Sequence, residues 1–509
     1  MDALRGDGDE TRRRGRANRQ IIRREPAFRA LPHITRSIPV YGLLAEDGLQ
    51  RIHDVSLAIL RDPGIEFRDD EAISIWKEAG AEVSGHRVRI DPDHLMSLIA
   101  TAPEEFTLHA RNPERSVRIG GRHQVFAPNN GSPYVLDFDG RRRNATLADL
   151  HDFHKLAYMS PGLHVDSSVT CEPMDIPVPH RHLHTAYSNL RHSDKPYMGG
   201  TTSRRAAEDS VEMARIAMPD LLANDQTVMI SIINGNSPLV WDETMLTALK
   251  VYARANQAAL ITPFILAGAS TPLSLIGAVT QMNAEVLAGI AFAQLLRPGC
   301  PMVYGQVAFA VSMLTGAPVV GTPELAHIQF IAGQLARRYR LPWRTSGAFS
   351  GSKVFDAQAG YEASMALQAS MLSGANFIWH SAGWLEGGLC VSFAKFVLEA
   401  EQCEMLHRYA DMPRFDDLDE VLDVIREVGP GGHFLGTAHT LRNFETALFM
   451  PKLLDSNPFE QWQGEGGLDA NARSLARSRE LLKRYELPPM DEAVDEELQA
   501  FIRRRQAES

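Results

Sequence analysis

After Thr146 the sequence becomes a repeat in which short apolar runs, rich in β-branched residues, alternate with longer segments of helical periodicity. Largely apolar strands joined by helices indicate a parallel sheet that is covered on both faces. Eight such runs in about 290 residues are what a (β/α)₈ barrel requires. The predicted strands lie at residues 163–170, 196–201, 227–234, 260–267, 302–307, 343–349, 376–381 and 433–437.

An open, doubly wound sheet is the competing topology for such a repeat. That fold usually carries a glycine-rich phosphate-binding turn after an early strand. No G-x-G-x-x-G sequence follows any of the eight runs. We therefore predict an α/β protein built on a (β/α)₈ TIM barrel, preceded by an N-terminal α+β extension.

The sequence divides into three regions by texture. Residues 1–30 are polar and arginine-rich, which predicts a disordered basic tail. Residues 31–150 combine an amphipathic helix at 45–61 with several strand-like pieces, and they form the predicted N-terminal α+β layer. The barrel with its C-terminal helices then occupies residues 151–509. The strand-like pieces of the N-terminal layer lie at residues 87–90, 106–110 and 124–127.

Composition narrows the choice of partners and compartment. The 52 Lys and Arg residues are outnumbered by 63 Asp and Glu, so the net charge is −11. Such an acidic chain argues against nucleic acid as a partner, because phosphate binding needs clustered basic residues. No apolar run reaches the roughly 18 residues of a membrane helix, and no secretory signal is evident. The four cysteines form no C-x-x-C pair, and we expect a cytoplasmic protein.

The predicted strand ends carry the candidate site, because barrel chemistry takes place at the C-terminal ends of the strands. Tyr304, Phe349 and Trp384 offer aromatic faces, which attract a quaternary ammonium by cation–π contact. His380 directly follows an apolar strand, where it is either functional or a structural histidine. Lys353 could bind a substrate carboxylate or could be a solvated loop lysine. This rim shows no carboxylate pair of the glycosidase type.

A histidine cluster invites a metal interpretation. His180 and His184 could share one face of a helix, with His182 between them. No acidic or cysteine ligand stands at a typical spacing, however, so we predict no metal site in this chain.

The chain also resembles the trimethylamine–corrinoid protein methyltransferase family over nearly its whole length, from about residue 40 to 505. The carrying motifs include Gly383-Trp384-Leu385-Glu386-Gly387-Gly388 near the barrel mouth. Many short matches in one order are a specific signal. The other matching segments lie at residues 49–60, 126–137, 146–150, 193–196, 315–318, 321–324, 334–339, 352–362, 429–436 and 487–491.

The resemblance implies a barrel methyltransferase that works with a separate corrinoid protein. Family members that use trimethylamine carry pyrrolysine in the barrel, whereas this sequence contains standard residues only. The resemblance therefore points to the branch that demethylates quaternary amines such as glycine betaine. The implied cofactor is a corrinoid (cobalamin) carried by the partner protein, and the implied acceptor of the methyl group is its Co(I).

Strand-end position and motif matches predict roles for residues at the rim. Tyr304, Phe349 and Trp384 would wall a cage for the cationic nitrogen. His380 and Gln306 would be the catalytic residues that orient the polar end of the substrate, with Lys353 and Glu324 as further substrate-binding residues. We also expect a homo-oligomer. The alternative functions are a TIM-barrel lyase or hydrolase acting on a small carboxylate, and a non-catalytic quaternary-amine binder.

Overall fold

The computed structural model describes residues 30–413 and 415–508. The predicted basic tail, apart from its last residue, lies outside the described residues. A layer of short strands and helices precedes the barrel helices. Its elements are β1 (Ile34–Thr35), α1 (Glu46–Arg61), β2 (Ile65–Phe67), α2 (Asp70–Glu78), β3 (Glu82–Ser84), β4 (Arg87–Arg89), α3 (Pro92–Ile99), β5 (Glu105–Leu108), β6 (Val117–Gly120), β7 (His123–Phe126), β8 (Tyr134–Leu136) and β9 (Arg142–Asn144).

Helices and strands then alternate through the middle of the chain, and helices alone fill the C-terminal part. Short 3₁₀ helices lie at Pro113–Arg115 and Glu386–Gly388. The remaining elements are α4 (Leu147–Tyr158), α5 (Val178–His192), β10 (Tyr197–Met198), α6 (Arg204–Ala217), α7 (Pro219–Ala223), β11 (Met229–Gly235), β12 (Val240–Trp241), α8 (Glu243–Arg254), β13 (Ala258–Ala267), α9 (Leu275–Leu296), β14 (Met302–Gly305), β15 (Val307–Val311), β16 (Pro318–Val319), α10 (Pro323–Arg338), β17 (Trp343–Ser346), α11 (Ala357–Leu372), β18 (Phe377–Trp379), β19 (Trp384–Leu385), β20 (Cys390–Ser392), α12 (Phe393–Tyr409), α13 (Leu418–Val428), α14 (Ala438–Asn443), α15 (Phe459–Gly464), α16 (Ala470–Arg484) and α17 (Glu492–Ala507).

Parallel strands form a closed ring. Strands β10, β11, β13, β14, β17, β18 and β7 pair in that order, each parallel to the next. A short segment closes the gap between β7 and β10. The amides of His164 and Val165 donate to the Phe126 carbonyl at 2.9 and 3.2 Å, and the amide of Asp166 donates to the Pro196 carbonyl at 2.8 Å. With this segment the ring has eight strand positions, which confirms the predicted barrel.

Two of the predicted strand positions are wrong: the barrel contains one strand that we placed outside it and lacks one that we placed inside it. Residues 124–127, which we placed in the N-terminal layer, belong to the barrel, because β7 pairs with β18. Residues 433–437 form no strand and lie between α13 and α14. Phe434 and Leu435 are exposed there, and Gly429 and Gly431 adopt positive φ, so this segment is a surface turn rather than a buried strand.

The barrel interior is filled by side chains that alternate along each strand. Val125, Leu260, Val303 and Phe377 pack together inside the ring with residues from β5 and β6. The strand register fixes the direction of their neighbours, because paired residues on adjacent strands face the same side. Arg344 pairs with Phe377 and therefore points inward.

Helix α9 is apolar on nearly all sides because it is buried on nearly all sides. Its 22 residues are long and hydrophobic enough to cross a membrane, but 78% of its most apolar window is buried inside the protein. It packs against α1, α3 and β13. A helix that is hydrophobic all round is the expected core element of a large domain.

Candidate active site

Four aromatic side chains meet at the C-terminal end of the barrel strands. The ring centroids of Phe349 and Trp384 are 4.4 Å apart, and the His380 ring lies 4.6 Å from Trp384 and 5.2 Å from Phe349. Phe309 extends the group, with its centroid 5.1 Å from that of Phe349. We call these four residues the aromatic cluster. The exposed ring of Phe264 packs edge-on against Phe309 at its outer side.

Glycines at the strand ends allow these rings to approach each other. Gly388 has φ +102°, and a Cβ added there would lie 2.5 Å from the indole ring of Trp384. A side chain at position 388 would therefore displace that indole. His380 itself adopts φ +56°, which is uncommon for a residue other than glycine. Strained backbone of this kind occurs where the surrounding structure holds a side chain in a required direction.

Arg344 lies directly behind the aromatic cluster and is completely buried. Its Nη1 donates to the Gln306 carbonyl at 2.9 Å, and its Nη2 is 3.2 Å from Nδ1 of His380. The guanidinium also stacks over the Trp379 ring at 4.9 Å from the centroid. Among the described residues, no carboxylate forms an ion pair with it. Burial lowers the pKa of Arg344 to about 9, so the group stays cationic at neutral pH.

The neighbourhood of His380 sets both its charge and its tautomer. Burial, together with the positive charge of Arg344, holds the pKa of His380 well below its usual value of 6.5. The imidazole is therefore neutral at physiological pH. Because a guanidinium can only donate, Nδ1 must be the acceptor and the proton must sit on Nε2.

A buried ion pair on α12 supports the loop that carries this site. The Lys395 ammonium and the Glu399 carboxylate contact each other and are both buried. Lys395 also donates to the Ala348 carbonyl at 3.1 Å, and Glu399 accepts from the Gly383 amide at 2.7 Å. The pair thus fixes the backbone immediately before Phe349 and immediately before Trp384.

Two predicted site residues do not face the barrel mouth. Tyr304 points outward, where its hydroxyl donates to Asn283 Oδ1 of α9 at 2.9 Å. The Gln306 side chain accepts from the Thr345 hydroxyl at 2.7 Å, on the outer side of the ring. The structure therefore places both side chains on the helix side of the ring, away from the predicted cage. Alternation along the strand explains this placement, because side chains of neighbouring residues point to opposite faces.

The structure brings the other predicted residues only partly together. Phe349, Trp384 and His380 are in mutual contact, as the preceding distances show. Lys353 is exposed and its ammonium donates to the Gly351 carbonyl at 2.7 Å. Glu324 is exposed in the first turn of α10, where hydrogen bonds lower the pKa of its carboxyl. In residues 30–413 and 415–508, neither one hydrogen-bonds to the aromatic cluster. Their substrate-binding roles stay predictions.

Arg344 and Phe309 were not among the site residues predicted from the sequence. A signal for Arg344 was available, because a charged residue within an otherwise apolar strand is unusual and calls for an explanation.

The histidine cluster of α5 has separate partners: His182 lies 2.8 Å from Asp209 Oδ2, and His184 lies 3.0 Å from Gln506. Across the part of the chain that the structure describes, no group of three potential ligands could hold a metal ion.

Comparison with known proteins decides the family. The family model described as trimethylamine methyltransferase (MTTB) matches residues 12–509. The chain belongs to the trimethylamine methyltransferase family. This result confirms the resemblance that the sequence motifs indicated.

Two curated members of the trimethylamine methyltransferase family illustrate the range of similarity. The chain is 42% identical to a glycine betaine methyltransferase of Desulfitobacterium hafniense (strain Y51), over 92% of this chain and 98% of the relative. It is 29% identical to a proline betaine:corrinoid methyltransferase of Eubacterium limosum, over 89% of this chain and 96% of the relative.

A solved structure shares the fold of this trimethylamine methyltransferase family member. The monomethylamine methyltransferase of Methanosarcina barkeri superposes with a TM-score of 0.54, over 88% of this chain and 90% of that chain. The identity is 11%, so this likeness concerns the fold alone.

Proposed function

We propose that this chain transfers a methyl group from a betaine-type quaternary amine to the Co(I) of a separate corrinoid protein. The observation that carries the proposal is the aromatic cluster at the mouth of a barrel that belongs to the trimethylamine methyltransferase family. Electron-rich ring faces stabilise a permanently cationic nitrogen by about 2 kcal/mol or more when water is excluded. Phe349 and Trp384 are buried enough for such desolvation.

The reaction is an in-line displacement at a methyl carbon. The bond between this carbon and nitrogen breaks, and its electron pair remains on nitrogen, which leaves as a neutral tertiary amine. The Co(I) of the corrinoid protein supplies the electron pair of the new bond to carbon. No proton has to be added to the leaving group, which agrees with a neutral His380 at this site.

The residues of this chain would contribute position and exclusion of water. The aromatic cluster would hold the ammonium with one methyl group directed to the open end of the barrel. Holding reactants in a productive geometry can lower a barrier by about 7–11 kcal/mol in the most favourable cases. The other candidate reactions receive less support, because a lyase or hydrolase would need a general acid and a general base. Burial beside Arg344 holds the pKa of His380 well below its usual value, which makes this imidazole a poor proton acceptor.

The direct test combines the purified protein, its corrinoid protein reduced to Co(I), and a panel of quaternary amines. We expect loss of the Co(I) absorbance together with one equivalent of the tertiary amine for each methyl group transferred. Glycine betaine should react, and trimethylamine should not. Binding without any methyl transfer would favour the non-catalytic binder, and no effect of any quaternary amine would refute the proposal.

A pair of tryptophan variants makes this test specific. Trp384→Leu should weaken amine binding at least tenfold, because it removes one face of the cluster. Trp462→Leu is the matched control, since Trp462 lies in α15 and packs against Phe459 instead. Equal losses in both variants would show that the effect comes from general destabilisation.

Further features of the protein follow as proposals of the same kind. We propose that the corrinoid is the only cofactor, that it resides on the partner protein, and that the chain holds no metal of its own. We also propose a cytoplasmic location without nucleic-acid or membrane partners, and the net charge of −11 supports the absence of a nucleic-acid partner. Self-association is supported by a series of exposed apolar side chains that a second copy would cover: Leu418, Leu422, Ile425, Phe434, Leu441, Phe444 and Leu448.

A further inference from the structure

We propose that His380 binds the carboxylate of a short betaine, and that Arg344 is the positioning residue that prepares His380 for this role. The inference rests on the proposed function and names the substrate class within it: a quaternary ammonium whose carboxylate is separated from nitrogen by a single carbon. Such a ligand carries the negative charge that the site lacks, together with the cation that the aromatic cluster would hold.

The positive charge of Arg344 has no balancing anion among the described residues. Arg344 is fully buried, and among residues 30–413 and 415–508 no carboxylate pairs with it. Its hydrogen-bond partners are a carbonyl and an imidazole nitrogen, and its Nε has none in the described structure. Buried cations in proteins are normally compensated by a nearby negative charge. A ligand carboxylate would supply this charge.

His380 has a hydrogen-bond donor that no described residue uses. Arg344 and the Ser346 hydroxyl both approach Nδ1, at 3.2 and 3.3 Å. The proton of the neutral imidazole is therefore on Nε2, which makes no hydrogen bond with any described residue. His380 is 7% exposed and Arg344 is fully buried, so His380 is the member of the pair that a ligand at the mouth can reach. A carboxylate oxygen would accept from Nε2–H, with the guanidinium charge immediately behind the ring.

The spacing between the two subsites limits the length of the ligand. The His380 ring touches Trp384 and Phe349, with centroid distances of 4.6 and 5.2 Å. An ammonium against these aromatic faces and a carboxylate on Nε2 must therefore lie close together. One methylene between nitrogen and carboxylate satisfies this spacing. A three-carbon linker, as in γ-butyrobetaine, would have to fold back on itself.

The same arrangement disfavours cations without a carboxylate. The positive charge of Arg344 lies next to the aromatic cluster and repels a second cation, and only an anionic group on the ligand reverses this effect. Choline matches glycine betaine in its trimethylammonium group but carries a hydroxyl in place of the carboxylate. It is therefore the ligand that isolates the contribution of the carboxylate.

Binding measured by titration calorimetry on the full-length protein, without the corrinoid protein, tests the inference independently of methyl transfer. We expect glycine betaine to bind at least tenfold more tightly than choline and γ-butyrobetaine. In Arg344→Met the preference over choline should disappear, while choline itself binds as well as or better than before. Arg344→Lys should restore part of the preference. His380→Asn, which tolerates the left-handed backbone, should lose it.

Arg337→Met is the matched control, because Arg337 is a half-buried arginine of α10 that donates to the Ser373 carbonyl, away from the mouth. It should keep the full preference. Equal binding of choline and glycine betaine by the unaltered protein, or an unchanged preference in a folded Arg344→Met, would overturn the inference. In both cases methyl transfer from quaternary amines could persist, so the proposed function would survive. Loss of all methyl transfer with the binding preference intact would refute the proposed function alone.

Discussion

The Glu399 carboxylate accepts a hydrogen bond of 2.7 Å from the backbone amide of Gly383, and so ties helix α12 to the loop that carries Trp384. Its other oxygen contacts the Lys395 ammonium, and both side chains are buried. Glu399→Leu would leave the Lys395 charge buried without its counter-ion. We expect a loss of about 3–5 kcal/mol in the free energy of unfolding, measured in urea.

The double variant Lys395→Met/Glu399→Leu separates the charge effect from the packing effect. Removing both charges should cost less than Glu399→Leu alone, because no uncompensated ion remains. If the single variant were as stable as the unaltered protein, the ion pair would not support this loop.

A second prediction concerns Gly388 and its neighbour Gly387. Both have positive φ, so alanine strains the backbone at either position. A Cβ at 388 would meet the Trp384 indole at 2.5 Å, whereas nothing lies within 4 Å of a Cβ at 387. Gly388→Ala should therefore weaken binding of the quaternary amine about tenfold, which corresponds to the 1–2 kcal/mol of a cation–π contact, and Gly387→Ala should not. Titration calorimetry on both variants decides the matter, and indistinguishable affinities would contradict the role given to Trp384.

A third prediction tests the outward direction of Tyr304. Tyr304→Phe removes the hydroxyl that donates to Asn283 and leaves a buried amide oxygen without that donor. We expect a loss of about 1–3 kcal/mol in the free energy of unfolding, with kcat/KM for methyl transfer unchanged. Phe349→Leu should instead lower kcat/KM by weakening substrate binding, and because Phe349 is buried it should also lower the free energy of unfolding by about 1–3 kcal/mol. A large fall in kcat/KM for Tyr304→Phe would show that the Tyr304 hydroxyl acts in the active site.

A fourth prediction is a loss of stability in mild acid. Burial holds the pKa values of His154, His164 and His380 well below 6.5 in the folded protein. In the unfolded chain these histidines would titrate near 6.5, so below that pH the unfolded state binds more protons than the folded state. The free energy of unfolding should then fall with decreasing pH, by up to about 1.4 kcal/mol per pH unit for each histidine.

Urea unfolding at several pH values between 7.5 and 5.5 measures this slope. His154→Asn, at a site away from the barrel mouth, should have a shallower slope than the unaltered protein. A free energy of unfolding that is constant over this range would show that the buried histidines titrate normally.

The barrel could be predicted from the alternation of apolar runs and helical segments, since seven of the eight predicted runs overlap or adjoin strand positions of the ring. The remaining barrel strand, β7, could not be predicted in this way. Residues 123–126 are followed by a hairpin rather than directly by a helix, so nothing in the local pattern marks β7 as a barrel strand. Residues 433–437 look apolar, but they lie in a glycine-rich surface turn.

The site was predictable in position but not in orientation. Strand ends indicate which residues lie near the mouth, and Phe349, His380 and Trp384 meet there as expected. Which face of the strand a residue occupies depends on register, and a shift of one residue reverses it. Tyr304 and Arg344 illustrate the point. Tyr304, which we predicted to line the cage, faces the surrounding helices, whereas Arg344, which we did not predict, faces the barrel interior.

The pairing of β7 with β18 has a consequence for synthesis of the protein. The Gln124 side chain donates to the Ala375 carbonyl, 251 positions later in the chain. Strand β7 therefore has no neighbour on the β18 side until almost three-quarters of the polypeptide has left the ribosome. At about 5–20 residues per second this interval lasts roughly 10–50 s. During that time one edge of β7 in the nascent chain has no partner strand. Such an unpaired edge can pair with a strand of another chain, so this stage of synthesis is open to aggregation.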